Sequence, residues 1–462
     1  MSSRYLLTRW EPENTDFWRA TGESVARRNL WISIPALALA FAVWSLWSVA
    51  VVNLDRGGFH FTKDQLFWLT ALPSVSGATL RIFYSFLVPI FGGRRFTAFS
   101  TASLLIPALG LGFALRDPST SYSTLLVLAL LCGLGGANFS SSMANISFFF
   151  PKSKKGFATG MNAGIGNLGV SLVQFVTPLV ISASVFGAFA GEGQTWVSNG
   201  VERGIWLQNA GFVWVPFIVI ASVAAWFGMN DIADAKASFA EQAVIFRRKH
   251  NWLMCLLYIG TFGSFIGFSA GLALLTKAEF PSVNPTAYAF LGPLAGALTR
   301  PIGGWVSDRL GGARVTLWTF IAMMAAVFGV MTCLPHEGTD GSFAGFLAMF
   351  IALFALTGIG NGSTFRMIPV IFLTQKQREA EGQSDFRKKQ AFHEAGKESA
   401  AVLGFAGAIG AYGGFFIPRS FGTSMSMTGS PNAALWCFIA FYALCAAVTW
   451  FCYARRNADM PC

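Results

Sequence analysis

Residues 77–81 read Gly-Ala-Thr-Leu-Arg, and residues 296–300 read Gly-Ala-Leu-Thr-Arg. Both pentapeptides sit inside apolar stretches. In both, a Gly-Gly pair follows eleven residues after the arginine: Gly92-Gly93 and Gly311-Gly312. Basic residues come next, Arg94 and Arg95 in the first copy and Arg314 in the second. A second echo links Ile165-Gly166-x-x-Gly169 with Ile409-Gly410-x-x-Gly413. A third links Gly133, Gly135 and Gly136 with Gly358, Gly360 and Gly362. Three echoes in the same order, one with an arginine at identical spacing, point to a duplicated chain.

The surrounding composition says what is duplicated. Of the 462 residues, 54% are hydrophobic and 12% charged, against about 25% charged in a soluble domain. Apolar runs of roughly 20 residues, enough to cross a ~30 Å hydrocarbon core, recur along the whole length. Twelve spans are expected, at about 30–53, 66–90, 96–115, 122–148, 157–185, 207–229, 251–276, 286–306, 314–334, 343–370, 398–421 and 432–454. The echoes lay span 2 over span 8, span 4 over span 10 and span 5 over span 11. The expected fold is therefore an all-α membrane protein of 12 transmembrane helices in two pseudo-symmetric six-helix halves, the arrangement of major facilitator transporters. Its segments are a tail at 1–29, a bundle at 30–229, a linker at 230–250, a second bundle at 251–454 and a tail at 455–462. An apolar run that starts near residue 30 is too late and too long for a cleaved signal peptide.

Lys and Arg set the orientation. With a cytoplasmic N-terminus, 24 of the 33 fall on cytoplasmic segments and six on the opposite side, while Arg81, Arg300 and Arg366 lie inside spans. The bias places both termini in the cytoplasm. The net charge of +11 follows from this distribution and is no nucleic-acid signal. Of the seven cysteines, Cys132, Cys255, Cys437, Cys445 and Cys452 lie in apolar spans and read as small buried hydrophobes. No pair has metal-ligand spacing. His60, His250, His336 and His393 fall at loops or loop edges, so no metal and no cofactor is expected. No nucleophile–base pair appears, and the chain does not read as an enzyme.

Depth then singles out two residues. Eleven helical residues separate each arginine from its Gly-Gly turn, roughly 16 Å at 1.5 Å per residue, and half of a ~30 Å core is ~15 Å. Arg81 and Arg300 are expected near the midplane. All 22 Asp and Glu residues fall in loops, tails or span edges. A midplane guanidinium is costly without a counter-charge, and an anionic substrate supplies one. Arginine suits a planar oxyanion because its fork donates two parallel hydrogen bonds. Asn167 is the polar exception among the span 5 glycines, with two roles open: donor to the anion, or interhelical hydrogen bond. Phe139, Tyr258 and Phe262 are candidate pocket walls. The run Gly304-Trp-Val-Ser-Asp308-Arg309-Leu-Gly311-Gly-Ala-Arg314 matches the span 8–9 loop signature of the major facilitator superfamily and is expected to act as a gate. Its first-half counterpart, Phe91-Gly92-Gly93-Arg94-Arg95, lacks the Asp. Arg366, late in span 10, is expected to snorkel or to line the inner vestibule, and residues 376–397 read as a charged loop.

Four segments carry a closer resemblance: Leu72-Pro-Ser-Val-Ser-Gly77, Ser141-Ser-Met-Ala-Asn-Ile-Ser-Phe-Phe-Phe-Pro151, Gly164-Ile-Gly-Asn-Leu-Gly169 and Gly410-Ala-Tyr-Gly-Gly-Phe-Phe416. Together they resemble the nitrate/nitrite porters of the NarK type, over about residues 10–455. The family's paired nitrate signatures correspond here to Gly164, Gly166 and Gly169, and to Gly407, Gly410, Gly413 and Gly414. The chain departs from the pattern at Ala163, Gly407 and Arg366. The resemblance implies a multi-pass porter of the bacterial inner membrane that imports nitrate and exports nitrite. One arginine from each half, here Arg81 and Arg300, would clamp the anion. Asn167 and the aromatic walls Phe139, Tyr258 and Phe262 match family positions. Expected partners are nitrate, nitrite and the lipid bilayer, with no nucleic acid and a functional monomer. Exchange is favoured because an empty site holding two buried positive charges resists reorientation, and because no titratable relay lies in a span. The competing readings are a nitrate–proton symporter, an exchanger of another small anion and a transport-dead nitrate receptor; a receptor would carry a signalling domain or a long tail.

Overall fold

The structure is a computed structural model that describes residues 5–198, 201–233, 244–336 and 338–462. Twelve helical spans follow one another: α1 (Thr15–Trp44), α2 (Lys63–Phe91), α3 (Gly93–Ala114), α4 (Tyr122–Phe149), α5 (Lys152–Ile181), α6 (Asn209–Gly228), α7 (Lys249–Glu279), α8 (Leu291–Leu310), α9 (Gly312–Cys333), α10 (Phe343–Glu379), α11 (Asp385–Thr428) and α12 (Asn432–Ala454). Among the described residues, ten are long and apolar enough to cross a membrane, and α1 with Trp47–Asn53, bent by 42° at the break, makes an eleventh. The remaining one is α8, which Arg300, Asp308 and Arg309 make more polar than the others. Among the described residues, two short strand pairings accompany the helices. β1 (Leu6–Leu7) runs parallel to β4 (Asp231–Ile232), and β2 (Gln194–Ser198) pairs antiparallel with β3 (Val201–Ile205).

Helix boundaries follow local chemistry. Thr62 and Gln65 form a reciprocal capping box that opens α2, with Gln65 N donating to Thr62 Oγ1 and Thr62 N to Gln65 Oε1, which satisfies two end donors. Ser121, Ser342 and Ser384 cap α4, α10 and α11 by accepting one backbone N–H each, from Thr124, Gly345 and Arg387. The turns after α2 and α8 are near-copies of each other: Gly92 has φ 86° and ψ 145°, and Gly311 has φ 89° and ψ 134°. Only glycine takes that backbone without strain, so the turn accounts for the first glycine of each pair, while Gly93 and Gly312 make room for Asn145 and Met367.

The chain packs into two compact units. One comprises Met1–Lys236, Gly267–Leu294 and Gly414–Met427; the other comprises Ala237–Ile266, Ala295–Gly413 and Thr428–Cys462. Within the first, Arg419 donates to Asp64 (2.6 Å) and Lys277 pairs with Asp55 (2.8 Å). Gln174 Nε2 donates both to Ser48 Oγ (2.9 Å) and to the Ser269 carbonyl (2.8 Å). These bonds tie residues 267–294 and 414–427 to helices of the first half.

Two expectations need correction. Residues 376–397 are not a loop: α10 runs on to Glu379 and α11 begins at Asp385. Ion pairs hold these extensions, with buried Lys376 bonded to Glu379, Glu394 and Glu398, and Arg248 to Glu379 and Glu398. The cysteines also differ from the reading as five buried hydrophobes. Cys132, Cys255 and Cys445 are buried, but Cys437 is exposed and Cys452 half-buried.

Candidate functional site

Arg81 is fully buried on α2. Its Nε donates to the Gly136 carbonyl of α4 at 2.7 Å. Its guanidinium carbon lies 4.8 Å from the Phe139 ring centroid, 4.9 Å from that of Trp44 and 5.9 Å from that of Phe41. The glycines explain how so bulky a box closes. Trp44 Nε1 donates to the Pro73 carbonyl (2.8 Å), which lays the indole against α2 and α4. A Cβ at Gly77 would fall 2.9 Å from Trp44 Nε1, and one at Gly136 would fall 2.6 Å from the indole ring.

Arg300 is buried on α8 in the second unit. Its Nη2 points at Tyr258 Oη at a long 3.5 Å, and its guanidinium carbon lies 5.3 Å from the Phe365 ring centroid. Nη1 has no hydrogen-bond partner among the described residues. Tyr258 stacks on Phe262, centroids 5.3 Å apart and planes at 20°. Between them α7 opens into a π-helical turn, Ile259–Gly263. Such turns concentrate at functional sites, and this one sets where the two rings stand.

The helix contacts beneath the arginines also repeat. A Cβ at Gly133 would fall 2.5 Å from the Gly77 amide nitrogen, and one at Gly358 would fall 2.2 Å from the Gly296 carbonyl oxygen. Thus α2 meets α4, and α8 meets α10, backbone to backbone on equivalent glycines. The signature glycines differ in what surrounds them. Cβ atoms at Gly169 and Gly413 would collide with backbone, 2.0 Å from Ala38 O and 2.4 Å from Gly263 Cα. Gly166 packs on Leu37, and Gly410 packs on Tyr258 and Phe262. Gly164 meets nothing within 4 Å, while Gly407 and Gly414 are buried. Asn167 on α5 is also buried, and its Oδ1 has no hydrogen-bond partner among the described residues.

Two aromatic walls escaped the sequence reading. Phe365 was legible from spacing, since Gly362-x-x-Phe365 repeats Gly136-x-x-Phe139. Trp44, one of four aromatics in the first span with Trp31, Phe41 and Trp47, carries no such signal. An energetic point follows for Arg300. A desolvated charge costs several kcal/mol, and one aromatic face returns about 0.5–2 kcal/mol. A long bond to a phenol does not close that gap, so the site is suited to an anion.

The residues of the expected gate motif lie at the Gly-Gly turn after α8. Arg366 is exposed late in α10, and its guanidinium pairs with Asp308 of α8. Arg309 stacks on Trp305, 4.0 Å from its ring; Gly304 gives its backbone to the approach of Gly362, and Arg314 is exposed. The acid missing from the first-half motif comes from elsewhere. Asp231 accepts from the Arg94 backbone N–H (2.8 Å) and from Arg94 Nε (3.3 Å), and lies 3.8 Å from Arg95 Nε.

Comparison with known proteins adds independent findings. The Major Facilitator Superfamily profile matches residues 32–384. The nitrate/nitrite transporter NarU of Escherichia coli K12 is 54% identical over 459 residues, covering 99% of this chain and 98% of the relative. The corresponding NarU of Salmonella typhimurium LT2 is 52% identical, covering 98% and 97%. A probable nitrate/nitrite antiporter NarK2 of Thermus thermophilus is 41% identical, covering 99% and 98%.

Proposed function

The chain belongs to the Major Facilitator Superfamily, and within it to the NarK- and NarU-type nitrate/nitrite transporter family, and from that premise we propose that it carries nitrate inward across a bacterial inner membrane in exchange for nitrite. The anion is held by Arg81 and Arg300, one from each half, and is exposed to the two sides of the membrane in turn. Asn167 donates its amide to the anion, and Phe139, Tyr258 and Phe262, with Trp44 and Phe365, wall it. Both termini are cytoplasmic, and the working form is a monomer.

The observation that carries this reading is the shared setting of the two arginines, each buried and each facing a phenylalanine that stands three residues beyond a glycine. A guanidinium set against aromatic faces keeps its in-plane N–H groups for a planar oxyanion. Nitrate and nitrite share one negative charge and coplanar oxygens, so one clamp accepts either. An empty clamp opposes reorientation through low dielectric, and an occupied one does not; that difference couples movement to occupancy.

The test is nitrate uptake into liposomes holding the purified protein, with and without internal nitrite, and with and without an imposed pH gradient. Exchange requires internal nitrite and ignores the gradient. Uptake into nitrite-free vesicles driven by external acid would establish proton symport instead.

A further inference from the structure

The connection between α5 and α6 carries the β2–β3 hairpin, and beneath it lies a cavity of about 490 Å³. The hairpin is anchored at its base. Gln194 Nε2 donates to the Leu115 carbonyl (2.9 Å) and to Gln208 Oε1 (3.0 Å), while its Oε1 accepts from Leu207 N. Gly193 and Gly204 leave room for the Trp206 indole, since a Cβ at either would fall within 3.1 Å of that ring.

Trp196 on β2 stands directly opposite Arg203 on β3, and directly opposed residues present their side chains on one face. The Arg56 guanidinium lies 4.8 Å from the Trp196 ring centroid, and its Nη1 donates to Asn53 Oδ1 (3.2 Å). Asn53 is itself fixed, its Nδ2 bonded to the Val49 carbonyl (3.1 Å). Asn284 Oδ1 already accepts from the Thr286 N–H (3.3 Å) and hydroxyl (2.8 Å), so its amide has only donors left to offer. Trp196, Arg56, Arg203 and Asn284 all line the cavity, and no Asp or Glu lines it. The nearby acids are otherwise placed. Asp55 pairs with Lys277, and Glu202, next to Arg203 on the strand, projects to the other face. Among the described residues, neither Arg56 nor Arg203 forms an ion pair.

We infer that this cavity is a second anion site, for the same small planar oxyanion that passes through the protein. It is separate from Arg81 and Arg300, and it lies on the side that the Lys and Arg distribution assigns to the exterior. The choice of ligand rests on the proposed function; the anion selectivity of the cavity rests on its two guanidinium groups and amide donor. Cationic clefts raise the local concentration of their ligand and its on-rate, so the site acts by collecting substrate.

Two measurements test it. The first is residue-resolved phenylglyoxal modification of delipidated protein, in sodium nitrate and in sodium chloride of equal ionic strength. Nitrate should slow modification of Arg56 and Arg203 several-fold, and should do so equally in the Arg81→Gln/Arg300→Gln double variant. The second is nitrate uptake by Arg56→Gln/Arg203→Gln at low ionic strength. The KM for external nitrate should rise several-fold while the maximal rate is kept, and Arg56→Lys/Arg203→Lys should recover part of the loss. Unchanged modification in nitrate would overturn the site. So would protection by phosphatidylglycerol vesicles alone, which would make it a lipid-headgroup site. A wild-type protein that moves no nitrate would sink the proposed function, while the modification experiment would still decide this inference.

Discussion

The Arg81 guanidinium faces the Phe139 ring at 4.8 Å, and 219 residues along the chain Arg300 faces Phe365 at 5.3 Å. Each phenylalanine stands three residues beyond a glycine: Gly136 makes room for the Trp44 indole, and Gly362 for the α8 backbone at Arg300 and Gly304. The duplication therefore preserves more than helix packing: it preserves the aromatic setting of a buried cation.

Replacing Phe365 by leucine should weaken nitrate binding, and Phe139→Leu should do so in the same direction. A cation–π contact of about 0.5–2 kcal/mol corresponds to roughly a 2- to 30-fold loss of affinity. Titration calorimetry on the two purified variants checks this. A loss confined to Phe139→Leu would show that the two halves are not used alike.

Among the signature glycines, tolerance should follow the backbone. Gly169→Ala and Gly413→Ala place a Cβ 2.0 Å from Ala38 O and 2.4 Å from Gly263 Cα. Overpacking of this kind costs about 1–3 kcal/mol, so both should lower membrane yield and uptake. Gly164→Ala meets nothing within 4 Å and should fold and accumulate as wild type. Immunoblots of membrane fractions with parallel uptake assays separate the cases. Poor accumulation of Gly164→Ala would point to a role unrelated to packing.

Asp231→Asn should destabilise the protein. It leaves Arg94, buried and formerly ion-paired, facing a neutral amide. Removing one partner of a buried pair costs about 3–5 kcal/mol. The Arg94 contacts with the Tyr5 and Trp226 rings, at 4.6 and 4.7 Å, should hold the loss near the lower figure. A melting temperature in detergent several degrees below wild type is expected. No change would mean that those rings suffice.

The Asp64–Arg419 pair should matter more to rate than to stability. The Asp64 side chain is 39% exposed, so the pair contributes at most about 1 kcal/mol. Any motion that parts residues 414–427 from α2 must break it. Asp64→Asn should therefore melt close to wild type, yet change the rate of nitrate–nitrite exchange by up to about 5-fold. The reciprocal swap Asp64→Arg/Arg419→Asp should move the rate back. A large stability loss at unchanged rate would assign the pair to folding alone.

Much of this was legible beforehand, for physical reasons. The twelve spans follow from hydrocarbon thickness, and the burial of Arg81 and Arg300 follows from their place in the middle of apolar stretches. What stayed hidden involved long-range pairing. The acid missing beside Arg94 arrives from Asp231, 137 residues away, and no local motif announces it. The charged run 376–397 read as a loop because its density of Lys, Arg and Glu suggested solvation. Instead buried Lys376, near the end of lengthened α10, pairs with Glu398 within α11. Arg366 found its partner, Asp308, on a different helix.

The central claim is that both arginines grip the anion through their forks. Equilibrium nitrate binding to purified Arg81→Lys and Arg300→Lys addresses it most directly, because lysine keeps the charge and removes the bidentate geometry. Loss of a charge-assisted hydrogen bond of about 1.5–3 kcal/mol predicts affinity reduced roughly 10- to 150-fold in each variant, with the fold intact by melting temperature. Near-normal nitrate affinity in both well-folded variants would contradict the clamp.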